Sequence, residues 1–242
     1  METFWKTIAE YNSQTWGYQL ILILAGIFLT ISLLREPKRW NVMAMKIFFI
    51  VLYLWIAIVY FYICCAERSY NIVMSIFWVV LSVAWLWDLI TGYTTFEYNK
   101  KHVKLAALLI IMPLLYPVAS LYRGLSFPVT TTPVMPCSVV VFTIGILLLF
   151  SRKVNLFIVL LLCHWSLIGL SKTFFFNIPE DYMLAFASVP AIYLFFKEYY
   201  FRHVNKDSKP NIKYLKWLLI LVCIAICLIL MGTMFVELLV DK

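Results

Sequence analysis

From residue 17 onward the chain alternates long apolar runs with short polar breaks. The runs cover 17–34, 42–64, 71–91, 104–122, 137–150, 155–171, 181–200 and 214–236. Most reach or approach the ~20 residues with which a helix crosses a ~30 Å hydrocarbon layer. The pattern therefore predicts an all-α transmembrane helix bundle of eight spans, a single domain over 1–242. The shortest run, 137–150, stops at Ser151-Arg152-Lys153. Either Val134 and Met135 lengthen it, or the two cations reach outward to the headgroups. The alternative joins it to 155–171 as a re-entrant hairpin and leaves six full spans. Ahead of the first run, Phe4, Ile8 and Tyr11 share one face at helical spacing among Glu2, Lys6 and Glu10. That arrangement predicts a short amphipathic helix lying in the membrane interface. The first apolar run is long enough to span, so no cleavable signal segment is expected.

Composition agrees: 64% of the residues are hydrophobic and 13% charged, with a mean hydropathy of +0.92. Soluble domains run near half apolar and a quarter charged. The net charge of +8 raises the question of a nucleic-acid partner, and the positions of the basic residues answer it. The loops after the first, third, fifth and seventh runs hold 15 of the 20 Lys and Arg, among them Arg35, Lys38, Arg39 and Lys46 after the first. The opposite side holds five: Lys6, Arg68, Arg123, Lys172 and Lys242. Cytoplasmic loops carry the basic excess, so both termini are expected outside. The excess then needs no nucleic acid, and the expected partner is the lipid bilayer. Trp16 and Tyr18 at one end of the first run, and Trp40 and Trp217 on the other side, suit the two headgroup levels. No Asn-x-Ser/Thr acceptor occurs, which fits a bacterial inner membrane.

Ionisable groups at membrane depth are costly and mark candidate function. His164 lies within the sixth run beside Cys163, and Thr143, Pro113 and Pro190 fall at comparable depth. Proline in a spanning helix leaves a carbonyl without its donor, so these helices could enclose a small polar cavity lined by His164. The bland reading is a neutral histidine bonded to a neighbouring helix. Asp88, in Trp85-Leu86-Trp87-Asp88, either receives a proton or cation, or reaches the interface or pairs with a loop lysine. Asn177-Ile178-Pro179-Glu180-Asp181 reads as a helix start, with carboxylates at the positive end of the dipole, or as the mouth of an external site. The six cysteines (Cys64, Cys65, Cys137, Cys163, Cys223 and Cys227) show no zinc spacing. A bridge from Cys64 or Cys65 to Cys137 is open in an oxidising compartment. The stretch Gly124–Pro136 holds three prolines and Thr130-Thr131-Thr132, which excludes regular helix. It predicts an ordered outer loop, either dipping into the bundle as a lid or gate or serving as a rigid connector, with Pro136 beginning the fifth helix.

Pro136-Cys137, Val141 through Leu149, Trp165 through Ser171 and Pro179 through Leu184 resemble the "PCP…FTxGLLLL", "WxLIGGSAA" and "xPEDxGL" elements of a bacterial family of uncharacterised integral membrane proteins. Tyr11-Asn12 and Trp16 through Gln19 resemble its amino-terminal "YNxxxWPxQ". Ser138, Gly17 and Leu170 depart from the pattern. Members are sometimes labelled permeases. The resemblance points to Trp16, Gln19, Cys137, Thr143, Trp165, Glu180 and Asp181 as a shared set, most of it near the outer face.

The expected activity is that of a small-solute or ion permease. Its outer vestibule would be built from 124–137 and 177–181 and lead towards Thr143 and His164. The expected substrate-binding residues are Gln19, Cys137, Thr143, His164, Trp165, Glu180 and Asp181, with no catalytic residue, metal or cofactor. No nucleotide-binding loop is present, so the chain is not read as a primary pump. A non-catalytic scaffold or sensor, and a membrane-embedded enzyme acting on a lipid or envelope substrate, are the other readings. Self-association is left open.

Overall fold

A computed structural model describes residues 2–68 and 71–176, with Leu184, Leu221 and Gly232 besides. The predicted spans at 181–200 and 214–236, with Glu180, Asp181 and Pro190, lie outside the described residues. Six helices follow in order: α1 (Glu2–Arg35), α2 (Arg39–Trp55), α3 (Asn71–Thr91), α4 (Val103–Tyr122), α5 (Pro136–Phe150) and α6 (Leu156–Phe176). A π-helix, Ile56–Cys64, continues α2, and two short strands, β1 (Thr95–Phe96) and β2 (Ser151–Lys153), pair antiparallel. Among the described residues, four helical segments are long and apolar enough to cross a membrane: Phe4–Arg35, Arg39–Cys64, Asn71–Thr91 and Lys100–Tyr122. Two shorter apolar helices, Pro136–Phe150 and Leu156–Gly169, accompany them.

The first helix differs from expectation. Residues 2–16 do not form a separate interfacial helix; they continue into the apolar run as one helix of 34 residues, about 51 Å at 1.5 Å per residue. Ile8 and Tyr11 do share a face, but it is buried within the protein. Polar partners make this possible, because Asn12, Thr15 and Gln19 on the same side are buried and hydrogen-bonded.

The π-helix has a legible cause. Buried pairs recur every four residues along this span: Phe48-Phe49, Leu52-Tyr53, Ile56-Ala57, Tyr60-Phe61 and Cys64-Cys65. In an α-helix a four-residue repeat drifts about 40° per step, so five pairs would wind off the packing face. The wider i→i+5 turn rotates less per residue and brings the later pairs back towards it.

α5 is the central element. Every one of its residues except Phe142 is buried, as befits a helix apolar all round. Its 15 residues span only about 22 Å, and loops close both ends. Call the end of the bundle at which α1 begins the upper end. Pro136 starts α5 there in its first turn, where a missing N–H costs nothing. At the lower end the segment after α3 folds under it. Glu97 N–H donates to the Phe150 carbonyl, and Asn99 N–H donates to that of Leu149 at 2.8 Å. Carbonyls left over at a helix terminus thus find donors. The two ends of α5 lie at opposite ends of the bundle, one held by the loop before it and the other by the segment after α3. A helix buried on all sides need not match the full hydrocarbon thickness by itself.

α4 packs most closely on α5, with Gly145 at the crossing. A Cβ there would lie 2.9 Å from Ile110 Cγ1 and 3.0 Å from the Ile110 nitrogen. Small residues permit this approach where helices pack without a water-driven force between them. An aromatic cluster fills the space between α2, α3 and α6: Trp78 lies 4.8 Å from Trp165 and 5.3 Å from Tyr53, ring centre to ring centre.

Candidate functional site

The most developed polar structure joins α1 to the loop before α5. On α1, Asn12, Thr15 and Gln19 follow one another at helical three- and four-residue spacing and stack on one face. Gln19 Nε2 donates to Asn12 Oδ1 at 3.2 Å and to Thr15 Oγ1 at 2.9 Å. Its Oε1 accepts from the Thr132 hydroxyl at 2.6 Å. Asn12 Nδ2 donates to the Pro128 and Thr130 carbonyls, both at 2.7 Å. Facing two carbonyls, that end of the amide must be the NH2.

The loop explains why these donors are needed. Alternate carbonyls, those of Pro128, Thr130, Thr132 and Val134, all receive side-chain donors. Asn12 meets the first two, Ser138 Oγ the third at 3.0 Å, and Tyr11 OH the fourth at 2.9 Å. The Trp55 indole N–H donates to that same Tyr11 oxygen at 2.9 Å. On the other side Thr131 Oγ1 donates to the Tyr116 carbonyl of α4, and its N–H donates to Ser120 Oγ. The expectation of a loop dipping into the bundle is met: Thr130, Thr131, Val134 and Met135 are buried. A buried loop requires partners for its backbone, and here α1, α4 and α5 supply them. All the bonds named here are between neutral groups. The arrangement is a latch.

The residues expected to form one site are spread over several places. Gln19 is in the latch, and Cys137 adjoins it at the first turn of α5. Cys137 also lies near the α6 helix, its sulfur 3.9 Å from where a Gly169 Cβ would be. Thr143 is deeper; its hydroxyl accepts from Tyr53 OH at 2.8 Å and donates to the Val139 carbonyl at 2.8 Å. His164 Nδ1 lies 2.6 Å from the Leu160 carbonyl of its own helix; a carbonyl only accepts, so Nδ1 carries a proton. Trp165 belongs to the aromatic cluster, 5.7 Å from Phe77. Pro113 does border a cavity, but that cavity is apolar and His164 is not part of its wall. No disulfide links Cys64, Cys65, Cys137 or Cys163, so the bridge left open in the sequence is not formed.

A second polar centre lies at the lower end. Lys46 of α2 and Asp88 of α3 are buried, their side chains 4% and 0% exposed, with Nζ 2.8 Å from Oδ2. The ammonium is aligned to donate to the Asp88 carbonyl, at 3.2 Å. Asp88 Oδ1 accepts from the N–H and hydroxyl of Thr94, at 3.1 and 2.7 Å. The Thr94 hydroxyl in turn accepts from Asn155 N–H at 3.2 Å. Asp88 therefore pairs with a lysine, as one of the two readings held, though Lys46 sits within a helix. Tyr11 was expected on an interfacial face and Asn12 was singled out only by the family resemblance; neither was expected to meet the carbonyls of the 124–135 loop. The polar ladder Asn12, Thr15, Gln19 across the start of the first apolar run was the available signal for both.

The described residues form a helical bundle with four apolar helices of membrane-crossing length and an inward-folded loop bonded by neutral side chains. The chain belongs to the family of unknown function DUF6064, whose sequence profile matches residues 1–206. No curated protein and no solved structure matches it.

Proposed function

We propose that this is an integral protein of a bacterial inner membrane, crossing it eight times with both termini outside, and that it is a small-solute permease. The distribution of Lys and Arg supports the orientation, and a fifth helix that runs from one end of the bundle to the other supports an even count. The upper end is then the outer one, and the 124–135 loop is the outer gate, held shut by Asn12, Gln19 and Tyr11.

The observation that carries this reading is the latch itself. A proline-rich loop folded inward and fastened by neutral hydrogen bonds can exchange those bonds for water or for a solute's own polar groups. Polar groups continue inward from it: Ser138 and Thr143 on α5, then Tyr53 on α2. Among the described residues these inward groups are uncharged, and the buried Lys46–Asp88 pair lies at the opposite end. Neutral hydrogen-bonding partners suit a small uncharged solute better than an ion, whose charge would need compensation at that depth. A scaffold or sensor is the second reading, favoured by the engagement of both amides of the latch: with Asn12 and Gln19 already bonded to the protein at both ends, the loop needs no solute.

Gln19→Ala tests the gate. Removing the amide leaves Thr132 and Asn12 each short of a partner, a loss of about 1–3 kcal/mol, or roughly 5- to 150-fold in the opening equilibrium. In protein with Cys137 as its only cysteine, Gln19→Ala should accelerate reaction with an impermeant thiol reagent added outside by a factor in that range. An unchanged rate in folded protein, or reaction from the cytoplasmic side alone, refutes an outer gate at this loop.

A further inference from the structure

Between α1, α2, α4 and α5 lies a cavity of about 240 Å³, and nothing in the proposed solute path uses it. α1 packs on α2 and α4 on α5, while α1 and α4 stand apart and leave a lateral opening. Gly26 and Thr30 of α1, Phe48 of α2, Pro113 of α4 and Phe142 of α5 form its walls, and Pro133-Val134 of the latched loop closes its upper end. The polar groups on this wall are turned away: Thr30 Oγ1 donates to the Gly26 carbonyl at 2.7 Å, and the Val134 carbonyl is taken by Tyr11. Gly26 bears directly on the room available, since a Cβ there would come within 3.2 Å of the Phe48 ring.

We infer that this cavity holds the end of one hydrocarbon tail of a bilayer lipid, entered sideways between α1 and α4. The depth and rim of its mouth identify the occupant. Trp16 and Tyr18, exposed on α1, mark the outer headgroup level, and the α1 wall from Leu22 to Ile31 lies about 9–22 Å below it. That is the middle of a ~30 Å hydrocarbon layer. The rim residues Ile27, Ile31, Ile111 and Leu114 are exposed and apolar, so acyl chain is what meets the opening. Water does not fill so apolar a space, and leaving it void forfeits the dispersion contacts of its walls. At about 240 Å³ it is smaller than the roughly 300–1,000 Å³ of pockets that enclose a whole ligand, which suits part of a chain. The inference rests on the membrane reading and not on transport. It has a structural consequence, because Pro133-Val134 is at once the roof of the cavity and the inner side of the latch. A tail in place braces the closed loop.

The test is photo-crosslinking of the full chain in vesicles of phosphatidylethanolamine and phosphatidylglycerol. The vesicles are doped with a phosphatidylcholine that carries a diazirine near the methyl end of its tail. Adducts are mapped by mass spectrometry and compared with those on Val79 and Val83, exposed residues midway along α3 that serve as an ordinary lipid-facing surface at the same depth. Adducts on the cavity wall should exceed those on α3 at least fivefold. Leu114→Trp, which blocks the mouth from a position already exposed, should remove that excess and leave the α3 adducts unchanged, showing that the variant is folded in the bilayer. Equal labelling of cavity and α3, an excess that survives Leu114→Trp, or protein–protein adducts at the rim in place of lipid would each overturn the inference.

Discussion

Lys46→Met should destabilise the protein by about 3–5 kcal/mol, because it leaves the Asp88 carboxylate buried without its cation. The pair is deep: Asp88 is wholly buried and Lys46 nearly so, at 2.8 Å. Two contacts to Thr94 and one from the ammonium to the Asp88 carbonyl hold its geometry. The ammonium also stands 6.0 Å from the centre of the Phe96 ring, near the limit of a cation–π contact. Phe96 belongs to β1, which pairs with β2 beneath α5, so the pair links α2 and α3 to the segment that closes the central helix. Lys46→Met combined with Asp88→Leu should recover most of the loss, since removing both charges avoids the uncompensated ion. A residue of about 1–3 kcal/mol should remain from the Thr94 donors left without an acceptor. Denaturant unfolding in detergent, followed by tryptophan fluorescence, measures both. A single variant as stable as the parent would mean that Asp88 finds another partner or a proton, and the ion pair would lose its structural role.

Substitution of Gly145 should be the most damaging change within the α4–α5 contact. Its would-be Cβ meets the Ile110 nitrogen and the Leu109 Cβ, both at 3.0 Å, and neither can swing aside as a side-chain end can. Gly145→Ala should cost about 1–3 kcal/mol by overpacking, even though alanine is the better helix former by about 1 kcal/mol. Gly145→Leu should force the helices apart and prevent normal assembly. Gly17, with nothing within 4 Å of its would-be Cβ, supplies the contrast: Gly17→Ala should be neutral or stabilising by about 0.5–1 kcal/mol. Thermal midpoints in detergent separate the two. Equal responses at both positions would show that close helix approach is not what Gly145 provides.

The apolar runs made the helices readable, and prolines with glycine made the Gly124–Pro136 loop readable. Packing faces were not. Exposed Ile58, Tyr62 and Ile63 are as apolar as buried Ile56, Ala57 and Tyr60, so polarity marks no inward face where lipid replaces water. The four-residue repeat that calls for a π-helix is hidden for that reason. The polar exceptions were the informative ones. Asn12, Thr15 and Gln19 could be placed on one helical face, but their partners are loop carbonyls, which every residue has and no sequence distinguishes. Lys46 read as one of the loop cations because it stands only four residues into a run, and only the packing of α2 on α3 brings it to Asp88. His164 stood out for its rarity; its bond to Leu160 lies within its own helix and gives no sign of a neighbour.

The most direct test of a solute path keeps Cys163 as the only cysteine and adds a small hydrophilic thiol reagent outside intact membranes. Cys163 is buried, 8% exposed, and precedes His164 in the half of α6 nearer the lower end, so a reagent must pass the latch and most of the bundle to reach it. The account predicts reaction from outside, faster with Gln19→Ala than with Gln19 in place. Complete protection in both proteins, with folding verified, would contradict the permease and leave the scaffold or sensor as the reading that stands.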